Sequence, residues 1–129
     1  MKEPHWMNKN HVLAFHSKQI KRFGGSYGIR DENLLESALS SVQQLFYYEE
    51  ASLIILAANY AFKVIKNHPF VDGNKRTGMI TAGIFLELNG YELIATEEEL
   101  VVTAVKIAAS KIKVEELVEW FTKNVRKIS

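Results

Sequence analysis

The chain has 129 residues, 47% of them hydrophobic, enough for one closed core and too few for two comfortable domains. Acidic and basic residues nearly cancel to a formal charge of +1, so the broad basic footprint of a nucleic-acid-binding domain is not expected and any anion site must be local. Cysteine is absent, which excludes disulfides, thiol nucleophiles and cysteine-held zinc or iron–sulfur centres. The start, Met1 to His5, carries no apolar signal core, and no run approaches the roughly 18 apolar residues of a membrane span. One cytoplasmic domain over residues 1–129, with no membrane contact, is the expectation.

In chain order, Asn8 is placed to cap a first helix whose apolar positions Val12, Phe15, Ile20 and Phe23 share a face, and Gly24-Gly25 stops it. Asp31 caps a second, with Leu34, Leu35, Ala38, Leu39 and Val42 at helical spacing. The aromatic stretch Leu45 to Tyr48 reads equally as an extended flap or a helical turn, with Tyr47 and Tyr48 as packing residues. From Ala51 to Asn67 apolar residues cover nearly the whole circumference, as in a central buried helix. Pro69 ends that helix and predicts an extended His68. A further helix from about Asn74 to Asn89 stops at Gly90, and its internal Gly78 and Gly83 predict close backbone packing. Thr96 and Glu99 form a capping box for a fifth helix, and a final block carries Leu117, Val118, Phe121 and Val125. The pattern predicts an all-α compact bundle of about six helices.

One segment concentrates chemistry: His68-Pro69-Phe70-Val71-Asp72-Gly73-Asn74-Lys75-Arg76. A loop entering a helix N-terminus presents unpaired N–H groups and the positive end of the dipole, a ready anion site. Lys75 and Arg76 in that first turn oppose the dipole, at a cost of a few tenths to about 1 kcal/mol each, which a bound anion removes. Asp72 is a hard oxygen ligand suited to Mg2+, which would arrive with a nucleotide. His68 is the side chain best matched to taking a proton from a hydroxyl at neutral pH. The segment is not a P-loop, because Met79 stands where the Walker lysine belongs. Neither spacing nor partner ligands make a metal site of His5, His11 or His16, which read as surface or packing residues.

These residues resemble the motif of the Fic/Doc family: His-Pro-Phe, any residue, an acid, then Gly-Asn-Gly-Arg in the Fic branch, or an ending in Asn-Lys-Arg in the Doc branch. Phe23-Gly24-Gly25, Tyr48-Glu49-Glu50, Thr77 and Asn89-Gly90 extend the likeness over nearly the whole chain. The resemblance implies the family's helical fold, with His68 as general base, Asp72 as Mg2+ ligand, and Gly73 and Asn74 as parts of an anion hole. It further implies that Lys75 fills space glycine leaves open to the nucleotide, and that Arg76 stabilises phosphate charge. Met79 replaces a second arginine of the Fic pattern, and Gly73 is Fic-like where the Doc branch has alanine. The Doc branch implies an ATP-dependent protein kinase that transfers the γ-phosphoryl group to a serine or threonine of a target such as the translation GTPase EF-Tu. The self-inhibitory run of some Fic proteins, a serine or threonine, three residues, glutamate, then glycine or asparagine, is not found, so the resemblance implies a separate antitoxin with a disordered inhibitory segment. Three alternatives remain: an adenylyltransferase using the same residues, a non-catalytic nucleotide- or phosphate-binding module, and a ribonuclease-type toxin. The last is disfavoured by balanced charge and by the lack of a second acid–base residue near the motif.

Overall fold

The computed structural model describes residues 2–128. It is an all-α bundle of six helices with one small sheet: α1 (Lys9–Phe23), α2 (Glu32–Glu49), α3 (Leu53–Asn67), α4 (Asn74–Leu88), β1 (Tyr91–Leu93), α5 (Glu97–Ala108), α6 (Val114–Asn124) and β2 (Val125–Lys127). Among the described residues, no helix is long and apolar enough to cross a membrane.

The expected caps Asn8, Asp31 and Thr96 are in place, and Ser52 adds one not anticipated. Asn8, Asp31, Ser52 and Thr96 each accept an N–H of the first turn behind them, and Thr96 with Glu99 closes a reciprocal capping box. The central helix is α3, packed against α2, α4, α5 and α6. Its buried residues run from Leu56 to Ala61 without a break and continue at Val64 and Ile65, as the all-round apolar pattern requires. Tyr60, Phe85 and Phe121 fill the core, with the Tyr60 and Phe85 rings 4.9 Å apart. Emptying such a site costs about 3–5 kcal/mol for a phenylalanine.

Gly78 on α4 faces α3 so closely that an added Cβ would lie 2.7 Å from Ile65 Cγ1 and 3.1 Å from the Ala61 carbonyl oxygen. Gly83 does not share this role; its nearest neighbour would be a Leu93 methyl at 3.9 Å, an ordinary contact.

One open local reading is settled and two others change. Leu45 to Tyr48 is helical, because α2 continues to Glu49 and ends on a left-handed Glu50 whose N–H reaches the Phe46 carbonyl at 3.0 Å. Phe46 then packs edge-on against Trp6, with centroids 5.6 Å apart. Tyr47 and Tyr48 are 54% and 84% exposed, so neither belongs to the core or to a flap. The extended backbone lies elsewhere: β1 and β2 pair antiparallel with Glu92 opposite Arg126, and Val125 starts a strand instead of continuing α6. His68, lastly, is not extended; it caps α3 in the left-handed region at φ 51, ψ 54.

Candidate active site

The loop between α3 and α4 is tied down from three directions. Pro69 has no N–H, but its carbonyl accepts from the Arg30 and Asp31 amides at 2.7 and 2.9 Å. The Val71 N–H donates to the Gly28 carbonyl at 3.1 Å, and Ile29 and Phe70 form an isolated antiparallel bridge. The Arg30 guanidinium donates to the carbonyls of Asn67 (3.0 Å) and His68 (2.7 Å), satisfying acceptors left open at the end of α3. This holds His68 in a conformation that costs a non-glycine residue about 1–3 kcal/mol. The His68 ring is exposed and has no hydrogen-bond partner among the described residues.

Phe70 is the loop's anchor, fully buried. Asn74 is also buried, and its side-chain amide clasps the Phe70 backbone in both directions, accepting from the N–H at 2.9 Å and donating to the carbonyl at 3.0 Å. Its side chain is therefore committed to the loop, and what Asn74 can offer an anion is its main-chain N–H. The Asp72 carboxylate is exposed; Oδ1 accepts from the Gly73 N–H at 2.8 Å and Oδ2 from the Ser26 N–H at 3.2 Å. The Asp72 carbonyl accepts from His16 Nε2 at 2.8 Å, and the Gly73 carbonyl from Gln19 Nε2 at 3.3 Å.

Behind this loop, α4 begins uncapped. Its N-cap is Gly73, left-handed at φ 78, with no side-chain hydrogen bond to the first turn. The first helical bond runs from the Thr77 N–H to the Gly73 carbonyl at 3.0 Å, so the amides of Asn74, Lys75 and Arg76 precede the helical ladder. Lys75 and Arg76 are exposed and have no ion-pair partner among the described residues. The Arg76 guanidinium lies 4.0 Å over the Phe23 ring, and Arg22 lies 5.1 Å from the same ring. These cations line one end of a groove of about 460 Å³ between α4 and α5, whose walls include Ile80, Leu100, Val101 and Val105. Met79 is buried and supplies no cation.

The geometry suits a nucleotide that brings its own metal. No group of three or more histidine, aspartate or glutamate side chains among the described residues could cage an ion. Asp72, an exposed carboxylate beside uncapped amides, is the residue here that could hold a Mg2+ arriving with a nucleotide.

Composition and spacing give no hint of the contacts made by Arg30 and Ser26, but His16 and Gln19 left a trace. They share the buried face of α1 with Val12 and Ile20. Polar residues at core positions of an amphipathic helix call for a partner, and the partner is the motif loop.

The Fic/DOC family model matches residues 6–86, well over half of the chain. "Protein kinase doc" of Escherichia phage P1 is 34% identical over 88 residues, covering 67% of this chain and 70% of that protein. "Toxin Doc" of Mycolicibacterium smegmatis is 40% identical over 75 residues, covering 57% of this chain and 58% of its own length. A crystal structure of the N-terminal Fic domain of a putative cell filamentation protein from Bartonella quintana, with bound ADP, superposes with a TM-score of 0.46 at 19% identity, covering 74% of this chain and 49% of that one. With the histidine, acid, asparagine and arginine of the motif present between His68 and Arg76 and the family match running from residue 6 to residue 86, this chain belongs to the Fic/Doc family.

Proposed function

We propose that the protein is a Doc-type toxin, a Mg-ATP-dependent protein kinase that phosphorylates a serine or threonine of a target such as EF-Tu. The observation that carries this reading is the uncapped N-terminus of α4, with unpaired Lys75 and Arg76 in its first turn and His68 and Asp72 in the loop that leads into it. The name of the phage P1 relative, a protein kinase, supports the type of transfer.

His68 accepts the proton of the target hydroxyl as that oxygen bonds to the γ-phosphorus. The bond from the γ-phosphorus to the bridging oxygen breaks, and ADP leaves with the electron pair. The amides of Asn74, Lys75 and Arg76, with the two cationic side chains, hold the phosphates in place and offset their charge. Asp72 would hold Mg2+, which when bound would supply positive charge against the phosphates.

Adenylyl transfer by the same residues is the second reading, and it draws on Gly73, the residue of the Fic branch. Gly73 has a local reason in this chain: its backbone is left-handed, and a Cβ would lie 1.9 Å from Gln19 Nε2. Its presence therefore does not favour AMP transfer. Lys75→Gly is expected to alter the transferred group or the rate; unchanged product and rate would remove Lys75 from the argument for phosphorylation.

An antitoxin partner belongs to the same reading, supported by the name of the mycobacterial relative. The deciding experiment is intact-protein mass spectrometry of an EF-Tu-type GTPase incubated with the protein, ATP and Mg2+, beside the His68→Ala variant. A His68-dependent gain of one phosphoryl group is expected. A gain of AMP moves the enzyme to the adenylylating branch, and intact RNA in a parallel incubation is the expected result that excludes a nuclease.

A further inference from the structure

We infer that His16 and Gln19 are positioning residues for the phosphate-binding turn, with the Gln19 amide occupying the space a side chain at residue 73 would need. The inference rests on the reading of the α4 N-terminus as a phosphate site. His16 and Gln19 are 5% and 3% exposed and lie on the buried face of α1, between Val12 and Ile20. His16 stacks flat on Phe70, with centroids 3.8 Å apart and planes 5° from parallel. Its Nε2 meets a carbonyl, an acceptor only, so that nitrogen carries the proton.

The two carbonyls they hold are consecutive, those of Asp72 and Gly73. A trans peptide is planar, so fixing a carbonyl fixes the N–H that points the opposite way from the next residue. His16, through the Asp72 carbonyl, sets the Gly73 N–H, and that N–H binds Oδ1 of the Asp72 carboxylate at 2.8 Å. Gln19 shares the Gly73 carbonyl with the Thr77 N–H, which meets it at 3.0 Å, and the two together set the direction of the Asn74 N–H, the first open amide of α4. One residue therefore aims the proposed metal ligand and the other aims the anion hole, and neither touches a reacting atom.

Gln19 is also coupled to the residue it holds. A Cβ on residue 73 would lie 1.9 Å from Gln19 Nε2 and 3.0 Å from its Cδ. Alanine at 73 must expel the amide from its place, so the identities at 19 and 73 constrain each other.

The test compares His16→Phe, which keeps ring and stack but drops the donor, with His16→Gln, whose amide nitrogen restores a donor near the position of Nε2. Gln19→Ala, Gly73→Ala and the double variant complete the set. Two quantities are read: Mg-ADP affinity by calorimetry, and hydrogen exchange at the Gly73 and Asn74 amides by NMR. His16→Phe and Gln19→Ala are expected to weaken Mg-ADP by about 10–100-fold, the usual effect of losing a group that orients a ligand. His16→Gln recovers most of the loss. Exchange speeds up at Gly73 in His16→Phe and at Asn74 in Gln19→Ala. Gly73→Ala alone is expected to lose more affinity than Gly73→Ala with Gln19→Ala, the mark of direct coupling.

Should His16→Phe not fold, Gln19→Ala and the double variant decide. Wild-type affinity and exchange in folded His16→Phe and Gln19→Ala, or equal losses in His16→Phe and His16→Gln with additive effects at 19 and 73, would overturn the inference and leave the kinase reading standing. If the wild-type protein binds no Mg-ADP, it is the kinase reading that falls; the exchange pattern then decides alone whether His16 and Gln19 set the turn.

Discussion

The N-termini of α4 and α5 solve the same problem in opposite ways. Helix α5 closes its own end: Thr96 caps Glu99, Glu99 caps Thr96, and Glu97, Glu98 and Glu99 place negative charge on the positive end of the dipole. Helix α4 starts from a glycine with no side-chain cap, has no acidic residue in its first turn, and carries Lys75 and Arg76 there instead. One end is finished by the chain. The other is left open, and on the proposed reading a ligand finishes it.

The sharpest way to exploit the contrast is to silence the open end's chemistry and leave its architecture intact. His68→Ala is expected to reduce transfer to the target by about 10²–10⁴-fold, with the melting temperature near wild type because the ring is exposed and unbonded. Single-turnover assays beside thermal denaturation check this.

The next effect concerns the core both helices rest on. Burial pushes the Tyr60 phenol up to about 12, the Met7 N–H drawing it slightly the other way. The folded state holds this proton more tightly than the unfolded chain, whose phenol titrates near 10. Its stability contribution is complete below about pH 10 and falls as pH rises toward about 12, by roughly 2 kcal/mol in all. Tyr60→Phe is expected to flatten that alkaline slope in denaturant titrations, whatever its effect at neutral pH.

Thr96→Ala removes the side chain that closes α5 and is expected to cost about 1 kcal/mol, with nucleotide affinity unchanged. The smallest effect has the opposite sign. Lys75→Glu gives α4 the charge pattern of α5 and is expected to stabilise the nucleotide-free protein by about 0.3–1 kcal/mol at low salt. The same change weakens Mg-ADP binding. A variant that gained stability and kept its affinity would dissolve the distinction between the two ends.

Much of this was legible in the sequence, because helical periodicity and caps are local signals. Asn8, Asp31 and Thr96 cap as their residue types predict, and the apolar girdle of residues 53–65 marks α3 as central. Local signals failed where a partner far along the chain decides. Leu45 to Tyr48 reads equally as strand or helix from its aromatic content, and the packing of Leu45 on the core and of Phe46 on Trp6 goes with the helical form. Proline argues for an extended His68, and Arg30, 38 residues away, overrides it by holding the carbonyls on either side of the turn. The motif picked out the candidate site residues, but not the commitment of the Asn74 side chain to Phe70, nor the contacts from His16 and Gln19, which depend on α1 and the loop meeting in space.

Gly78 gives the contact between α3 and α4 a further meaning. The missing methyl lets the two helices approach until the Ala61 carbonyl and the Ile65 side chain occupy the space a Cβ would take. His68 closes one of these helices and Gly73 opens the other, so on the proposed reading the packing of α3 on α4 also bears on the reach from proton acceptor to phosphate cradle. Residue 78 thus acts as a ruler buried beneath the chemistry. A larger residue there would lengthen that reach from below, without altering one atom that a substrate meets.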